Sequence, residues 1–205
     1  MSNTITVARQ LGSNGRIIGK LVADALGYKF YDKDILAKIA KDRGLSANLF
    51  EGMDDKPTNS FLYALVMGMQ SERGLYQYDV LNGDNLFKIQ SDLIKELAKD
   101  NDCVFVGRCA DYILRNCENL TRIFCYADTD YRIKNIIKRD GVSEKDAAGA
   151  VSKADKRRAN YYNFYTNLTW GDVENYDLAV NTATLSVENA SKIILEYLKL
   201  KKTNI

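Results

Sequence analysis

The sequence predicts an α/β domain built on a five-stranded parallel sheet with helices on both faces. Three observations predict it. Five short apolar runs of strand character alternate with segments whose apolar residues recur at helical spacing. The first of these runs passes directly into a glycine-containing loop and then into a helix. A length of 205 residues with 46% hydrophobic and 27% charged side chains suits one large domain or a core with a small insert, and excludes a disordered or collagen-like chain.

Ile5-Thr6-Val7-Ala8 is a β-branched first strand, and the loop from Arg9 to Arg16 follows it. Ile17, Ile18, Leu21, Val22, Ala25 and Leu26 then mark a helix, with Gly27 at the position of a left-handed cap. Tyr28-Lys29-Phe30-Tyr31 is a second strand, and Ile35, Leu36, Ile39 and Ala40 mark a helix stopped by Gly44. Residues 45–85 break the rhythm with Pro57, several aromatics and Met67-Gly68-Met69, and read as a small helical insertion. Leu86, Ile89, Leu93, Ile94 and Leu97 carry the next helix, ahead of the buried-type strand Cys103-Val104-Phe105-Val106 and its turn, Gly107-Arg108. A strand over Arg122–Tyr126 leads to a helix from Thr129 to about Asp140, and Ser143 opens a long polar helix that reaches Tyr161-Tyr162. Asp177–Val180 is the last strand, and the closing helix has Val187, Ala190, Ile193, Ile194, Tyr197 and Leu198 on one face.

Composition narrows the chemistry. Twenty-nine basic residues against 27 acidic ones give a net charge of +2, too balanced for a partner that is a nucleic-acid polymer or a polybasic-binding membrane. The chain has no histidine, which excludes triads with an imidazole base and histidine-ligated metals. Cys103, Cys109, Cys117 and Cys125 include no Cys-x-x-Cys pair, so a disulfide scaffold and a zinc site are both poor fits. Cys103 and Cys125 read instead as small buried hydrophobes. No apolar run approaches the ~18 residues of a membrane span, and the start of the chain lacks a signal pattern, so a soluble cytoplasmic protein is expected.

A loop joining the first strand of a parallel sheet to a helix puts the helix N-terminus at the sheet's carboxyl edge, where amides and the helix dipole favour an anion such as phosphate. Gly12 and Gly15 let the backbone bend, Ser13 and Asn14 offer short polar side chains, and Arg16 adds a cation. Against the pattern G-x-x-x-x-G-K-[ST], Gly15 matches the last glycine, while Gln10, Arg16 and Ile17 replace the first glycine, the lysine and the hydroxyl residue. From the loop alone, a phosphate cradle and a structural strand–helix turn both stay open. Residues 129–160 hold nine Lys and Arg against five acids, a local +4 while the remainder sums to −2. With Arg108 after a buried strand, this suggests guanidinium groups converging on the edge that carries the glycine loop, a disposition suited to phosphoryl transfer.

The stretch Ala8-Arg9-Gln10-Leu11-Gly12-Ser13-Asn14-Gly15-Arg16, followed by Phe30-Tyr31-Asp32, resembles the cytidylate kinase-like proteins of bacteria. Val106-Gly107-Arg108, Asp155-Lys156-Arg157-Arg158-Ala159-Asn160-Tyr161-Tyr162, Trp170-Gly171 and Tyr176-Asp177-Leu178 continue the resemblance in order. It implies a P-loop NTPase-like three-layer α/β/α fold, related to the nucleoside monophosphate kinases. Residues 1–205 would form one kinase-like domain, with 45–85 as the acceptor-side insertion and 141–172 as a helical lid.

The resemblance further implies that Gly12, Ser13, Asn14, Gly15, Arg16 and Ile17 hold ATP, with Arg16 in the place of the usual lysine. Arg108 would contact the acceptor phosphate, Asp32, Lys38 and Arg132 would lie on the acceptor side, and Arg157 and Arg158 would be lid arginines. Arg16, Arg108, Arg157 and Arg158 are thus the expected catalytic residues. Asp32 could instead cap the helix that follows it, and Arg132 could pair with Asp128. Val106 and Cys109 stand where cytidylate kinase has acidic residues beside its glycine-arginine pair. The activity implied is ATP-dependent phosphorylation of a nucleoside monophosphate, CMP or dCMP, with Mg2+ whose ligands stay unassigned. A nucleotide- or anion-binding regulator without turnover and a kinase for a non-nucleotide metabolite are the other readings, and a homo-oligomer stays open.

Overall fold

The five apolar runs become strands because each is flanked by residues that stop it and none is long enough for a buried helix. The computed structural model describes residues 2–43 and 83–203. Its strands are β1 (Thr4–Arg9), β2 (Lys29–Tyr31), β3 (Cys103–Val106), β4 (Leu120–Tyr126) and β5 (Leu178–Asn181). They pair in parallel in the order β2-β3-β1-β4-β5. The α-helices among the described residues are α1 (Gly15–Leu26), α2 (Lys33–Asp42), α3 (Gly83–Lys99), α4 (Ala110–Ile113), α5 (Thr129–Asp140), α6 (Glu144–Thr166) and α7 (Val187–Thr203), with a short 3-10 turn at Val173–Asn175. The insertion expected at 45–85 lies outside the described residues except for its last three positions, which begin α3. α2 ends at Asp42 with Arg43 as its cap, ahead of the stop expected at Gly44.

Local chemistry sets these boundaries. Asp128 accepts a hydrogen bond from the Tyr131 amide and starts α5, and Gly141, at φ +67°, ends it in the left-handed region. Ser143 then caps α6. The sheet is buried on both faces. Ile5 and Val7 pack with Ile18 and Val22 of α1 and Ile194 of α7 on one side, while Phe105 and Tyr31 pack with Leu93 and Ile94 of α3 and Tyr161 of α6 on the other. Each such fully buried aliphatic side chain contributes roughly 1.5–3 kcal/mol. Cys103 and Cys125 are fully buried in these layers, and all four cysteines are free thiols.

Because β1 lies between β3 and β4, the chain leaves β1 toward one side of the sheet and later returns on the other. The loop after β1 therefore sits at the switch point of the carboxyl edge, beside the loops that follow β3, β4 and β5.

Candidate functional site

The loop after β1 is held both by its neighbours and by its own Gln10 and Ser13 side chains. The Gln10 amide donates to the Cys125 carbonyl at 3.1 Å, and the Gln10 Oε1 accepts from the Ala127 amide at 3.1 Å. Gly12 has φ +81°, and a Cβ there would collide with the Arg132 carbonyl oxygen, so only glycine fits. Its own carbonyl accepts from Asn135 Nδ2 at 2.8 Å. Ser13 is fully buried, its hydroxyl donates to the Gln10 carbonyl at 3.0 Å, and its carbonyl accepts from the Thr182 hydroxyl at 2.9 Å. The loop is thus clamped to β4, α5 and the segment after β5, while the Ser13 hydroxyl is turned into the turn itself.

Asn14, at φ 61°, is the N-cap of α1 but makes no side-chain hydrogen bond to the helix, its Nδ2 donating instead to the Tyr131 hydroxyl at 3.4 Å, and the first turn carries no acid. No acid of that turn offsets the positive end of the helix dipole, a disposition that favours an anion. Ile17 is 40% exposed and brings no hydroxyl.

Arg16 and Asp32, expected on opposite substrates, are joined. Arg16 Nε and Nη2 lie 2.7 and 2.6 Å from Asp32 Oδ2, with the arginine side chain 58% exposed and the aspartate 3%. The other oxygen of Asp32 accepts from the Ile35 amide at 3.0 Å, so Asp32 also caps α2. Lys38 is exposed on α2.

Arg132 faces the outer flank of the loop. Its Nε donates to the Ala127 carbonyl at 3.0 Å, and its Nη1 reaches the Leu11 carbonyl at 3.4 Å and forms an ion pair with Asp155. The expected alternative pairing with Asp128 is not what forms, because Asp128 is the cap of α5. Asp155 also accepts from the Leu11 amide at 2.9 Å, so this carboxylate on α6 bridges loop and helix. The two side chains are only 8% and 17% exposed.

On the other flank, Arg9, Arg108 and Arg158 line a narrow cleft of about 30 Å3 between the tips of β1 and β3 and the middle of α6, together with Asp111 and Trp170. Gly107, Arg108 and Cys109 are consecutive left-handed residues at φ +73°, +64° and +54°. Two of them are not glycine, so the turn stores strain of order 1–3 kcal/mol per residue at the cleft wall. Buried Gln90 of α3 supports the turn by donating to the Arg108 carbonyl at 3.2 Å and to the Tyr161 hydroxyl at 3.3 Å. Arg158 Nη1 donates to the Arg9 carbonyl at 3.1 Å, and Arg157 has a buried Nε with no hydrogen-bond partner among the described residues. Asp111 is buried and accepts from the Tyr162 hydroxyl at 2.8 Å. Burial pushes its carboxyl above the ordinary carboxylate range despite that bond.

The structure therefore brings the glycine loop, Arg108 and Arg158 to one edge, and places Arg16 with Asp32 and Arg132 with Asp155 beside them. Sequence reasoning passed over Arg9, Asp111 and Asp155 as site residues. Arg9 carried a signal, as a charge that ends the period-two row Ile5, Val7, Arg9. Asp111 is a carboxylate two positions beyond Cys109, where an acid was noted as missing.

Among the described residues no three Cys, Asp or Glu side chains gather as a metal site. With Ile17 apolar and the Ser13 hydroxyl internal, the loop does not form a protein cage for Mg2+. The larger cavity, about 250 Å3, lies at the opposite, amino-terminal edge between α1 and α7 and is lined mostly by apolar groups. No described helix is long and apolar enough to cross a membrane.

A family model described as the cytidylate kinase-like family matches residues 4–184. Cytidylate kinase from the archaeon Pyrococcus horikoshii is 25% identical over 192 residues, which is 93% of this chain and 85% of the relative. A solved structure of an uncharacterized protein from Eubacterium ventriosum superposes with a TM-score of 0.73 at 26% identity and covers 97% of this chain and 99% of that one. Shikimate kinase from Bacteroides thetaiotaomicron, at 14% identity and a TM-score of 0.55 over 96% of this chain and 98% of that one, shares the fold.

Proposed function

From the premise that this chain belongs to the cytidylate kinase-like family, we propose that it is a soluble, cytoplasmic phosphotransferase that moves the γ-phosphoryl of ATP to a nucleoside monophosphate, CMP or dCMP. The observation that carries the proposal is the uncapped N-terminus of α1 at the switch point, on the same sheet edge as a cleft lined by buried Arg108 and half-buried Arg9 and Arg158. The first-turn amides, from Gly15 to Ile17, bind the donor phosphates, and Gly12, Ser13 and Asn14 shape the loop that presents them. Arg108 binds the acceptor phosphate. Arg157 and Arg158, in a lid spanning 141–172, neutralise the charge spread over the group in transfer. Lys38 is assigned to the acceptor side, while Asp32 with Arg16, and Asp155 with Arg132, hold the two walls in place. Mg2+ is assigned to the nucleotide's own phosphates and water, and no step here is routed through it.

A phosphate acceptor is already ionised, so no general base is required, which suits a chain without histidine. Catalysis then reduces to positioning and electrostatic stabilisation. ADP formation is to be followed with ATP and a panel of nucleoside monophosphates and small metabolites. ADP formed with CMP or dCMP and with no other acceptor supports the proposal, ADP formed only with a non-nucleotide acceptor replaces the acceptor class, and none with any acceptor refutes turnover. The absence of an available hydroxyl in the loop favours a second reading, a nucleotide-binding regulator. Thermal stabilisation by ATP without its consumption would identify that case.

A further inference from the structure

Arg16 holds the position of a phosphate-loop lysine, yet its guanidinium is joined to Asp32 and most of its side chain is in solvent. A different cation is built into the base of the loop. Arg9, the last residue of β1, lies under the start of α1 and beside the turn after β3, and two glycines make room for it. A Cβ on Gly15 would stand 2.6 Å from the Arg9 Cβ, closer than side-chain atoms pack. A Cβ on Gly107 would overlap the Arg9 guanidinium at Nη1. Any other residue at 107 would have to displace that group, and any other residue at 15 would lift the helix from the strand.

The surroundings give the guanidinium its direction. It lines the same cleft as Arg108 and Arg158, with Arg108 next in chain to the glycine it rests on and Arg158 hydrogen-bonded to its backbone carbonyl. It therefore stands between the loop that would hold the donor and the arginine that would hold the acceptor, where the group in transfer has to pass. Its charge also reaches the base of the loop. Burial pushes the Cys125 thiol up to about 12, and the Arg9 guanidinium is the group that opposes this rise.

Resting on the phosphotransferase reading above, we propose that Arg9, rather than Arg16, supplies the cation that contacts the transferred phosphoryl group, while Arg16 serves to hold Asp32 and α2. The lysine function has moved from the end of the loop to the end of the preceding strand. A guanidinium fits there because the missing Cβ of Gly107 leaves room for its Nη1 end, and its fork can meet the oxygens of one phosphate.

The test is the affinity of the full chain for ATP and for ADP with Mg2+, by titration calorimetry, in the wild type, Arg9→Gln, Arg9→Lys and Arg16→Gln. Thermal unfolding establishes that each variant folds. Arg9→Gln is expected to weaken ATP by about tenfold or more and ADP by less than about threefold, so that the preference for the triphosphate is lost. Arg16→Gln is expected to change that preference by less than about twofold. An unchanged ATP-to-ADP ratio in Arg9→Gln, or a ratio abolished by Arg16→Gln, would overturn the assignment while leaving the phosphotransferase reading in place. Should Arg9→Gln not fold, Arg9→Lys decides, since it keeps the charge but loses the fork. A ratio lowered at least about threefold supports the proposal, and an unchanged one overturns it. A wild type that binds neither nucleotide would refute the phosphotransferase reading, and Arg9's role with it.

Discussion

The two edges of the sheet are built by opposite rules. At the amino-terminal edge the charged groups are paired in a conventional way around an apolar void. Asp102 accepts from the Asn3 amide and side chain, Asp177 holds Arg122 at 3.0 Å and Lys201 at 3.5 Å, and a cavity of about 250 Å3 is lined by apolar groups of α1 and α7. At the carboxyl edge there is little free volume, but there are three buried or half-buried arginines, a buried carboxyl, three successive left-handed residues and a helix without a cap. The larger cavity is not at the proposed site. On the proposed function, desolvated cations and stored strain mark it, because both cost stability and persist only where the fold over-determines them.

The sharpest way to break this contrast is to remove one arginine from the carboxyl edge. Arg108→Ala is expected to lower kcat/KM by about 10²–10³-fold, on the scale of losing one transition-state donor, with the unfolding midpoint changed far less. Steady-state kinetics beside thermal unfolding checks this. Next is Asp155→Ala, which leaves Arg132 buried without its carboxylate and frees the Leu11 amide. A loss of about 3 kcal/mol in denaturant unfolding is expected, and Asp155→Asn should recover the Leu11 bond but not the ion pair.

At the amino-terminal edge, Asp177→Asn should cost only about 1 kcal/mol at neutral pH. Burial would raise the Asp177 carboxyl, but hydrogen bonds from Arg122 outweigh it and hold the carboxyl below its ordinary value. The contribution of a carboxyl lowered in this way is present above the unfolded-state value and is lost as pH falls through the folded one. The difference between wild type and variant should therefore vanish in acid. Asp111 has the opposite sign. Its raised carboxyl makes the fold less stable as pH rises from the ordinary aspartate value through the raised one. Asp111→Asn, which keeps an acceptor for Tyr162, should gain on the wild type above that window and match it below, as read by thermal unfolding across pH. The smallest effect belongs to the apolar void. Ala25→Leu, directed into it, should change stability by less than about 1 kcal/mol and leave kcat unchanged.

What the sequence could and could not disclose follows the same division. α5 was legible as a helix from Thr129 to about Asp140, because its ends are set by local signals, the cap Asp128 and Gly141, although Asp128 was expected only as a partner for Arg132. β1 and β3 were legible from their apolar runs. The glycine loop, Arg108 and Arg158 were legible as neighbours because the order of strands and loops in a parallel sheet dictates which ends share an edge. The partners within the site were not. Asp155 meets Leu11 across 144 residues, and Arg158 meets the Arg9 carbonyl across 149, distances over which spacing carries no information. Arg132 was expected to face an acceptor, but at the start of α5 its side chain is taken by the loop and α6. Arg16 and Asp32 were assigned to different substrates, and only the fold shows that the ends of β1 and β2 bring them within one ion pair.

On the proposed function, the arginine-lined edge transfers a phosphoryl group between nucleotides. Phosphorus NMR of ATP and CMP mixed with the wild type, with Arg108→Ala alongside, tests it most directly. Appearance of CDP and ADP in equal amounts with the wild type, slowed by two orders of magnitude or more in the variant, is the predicted result. CDP formation at the same rate in both proteins would contradict it.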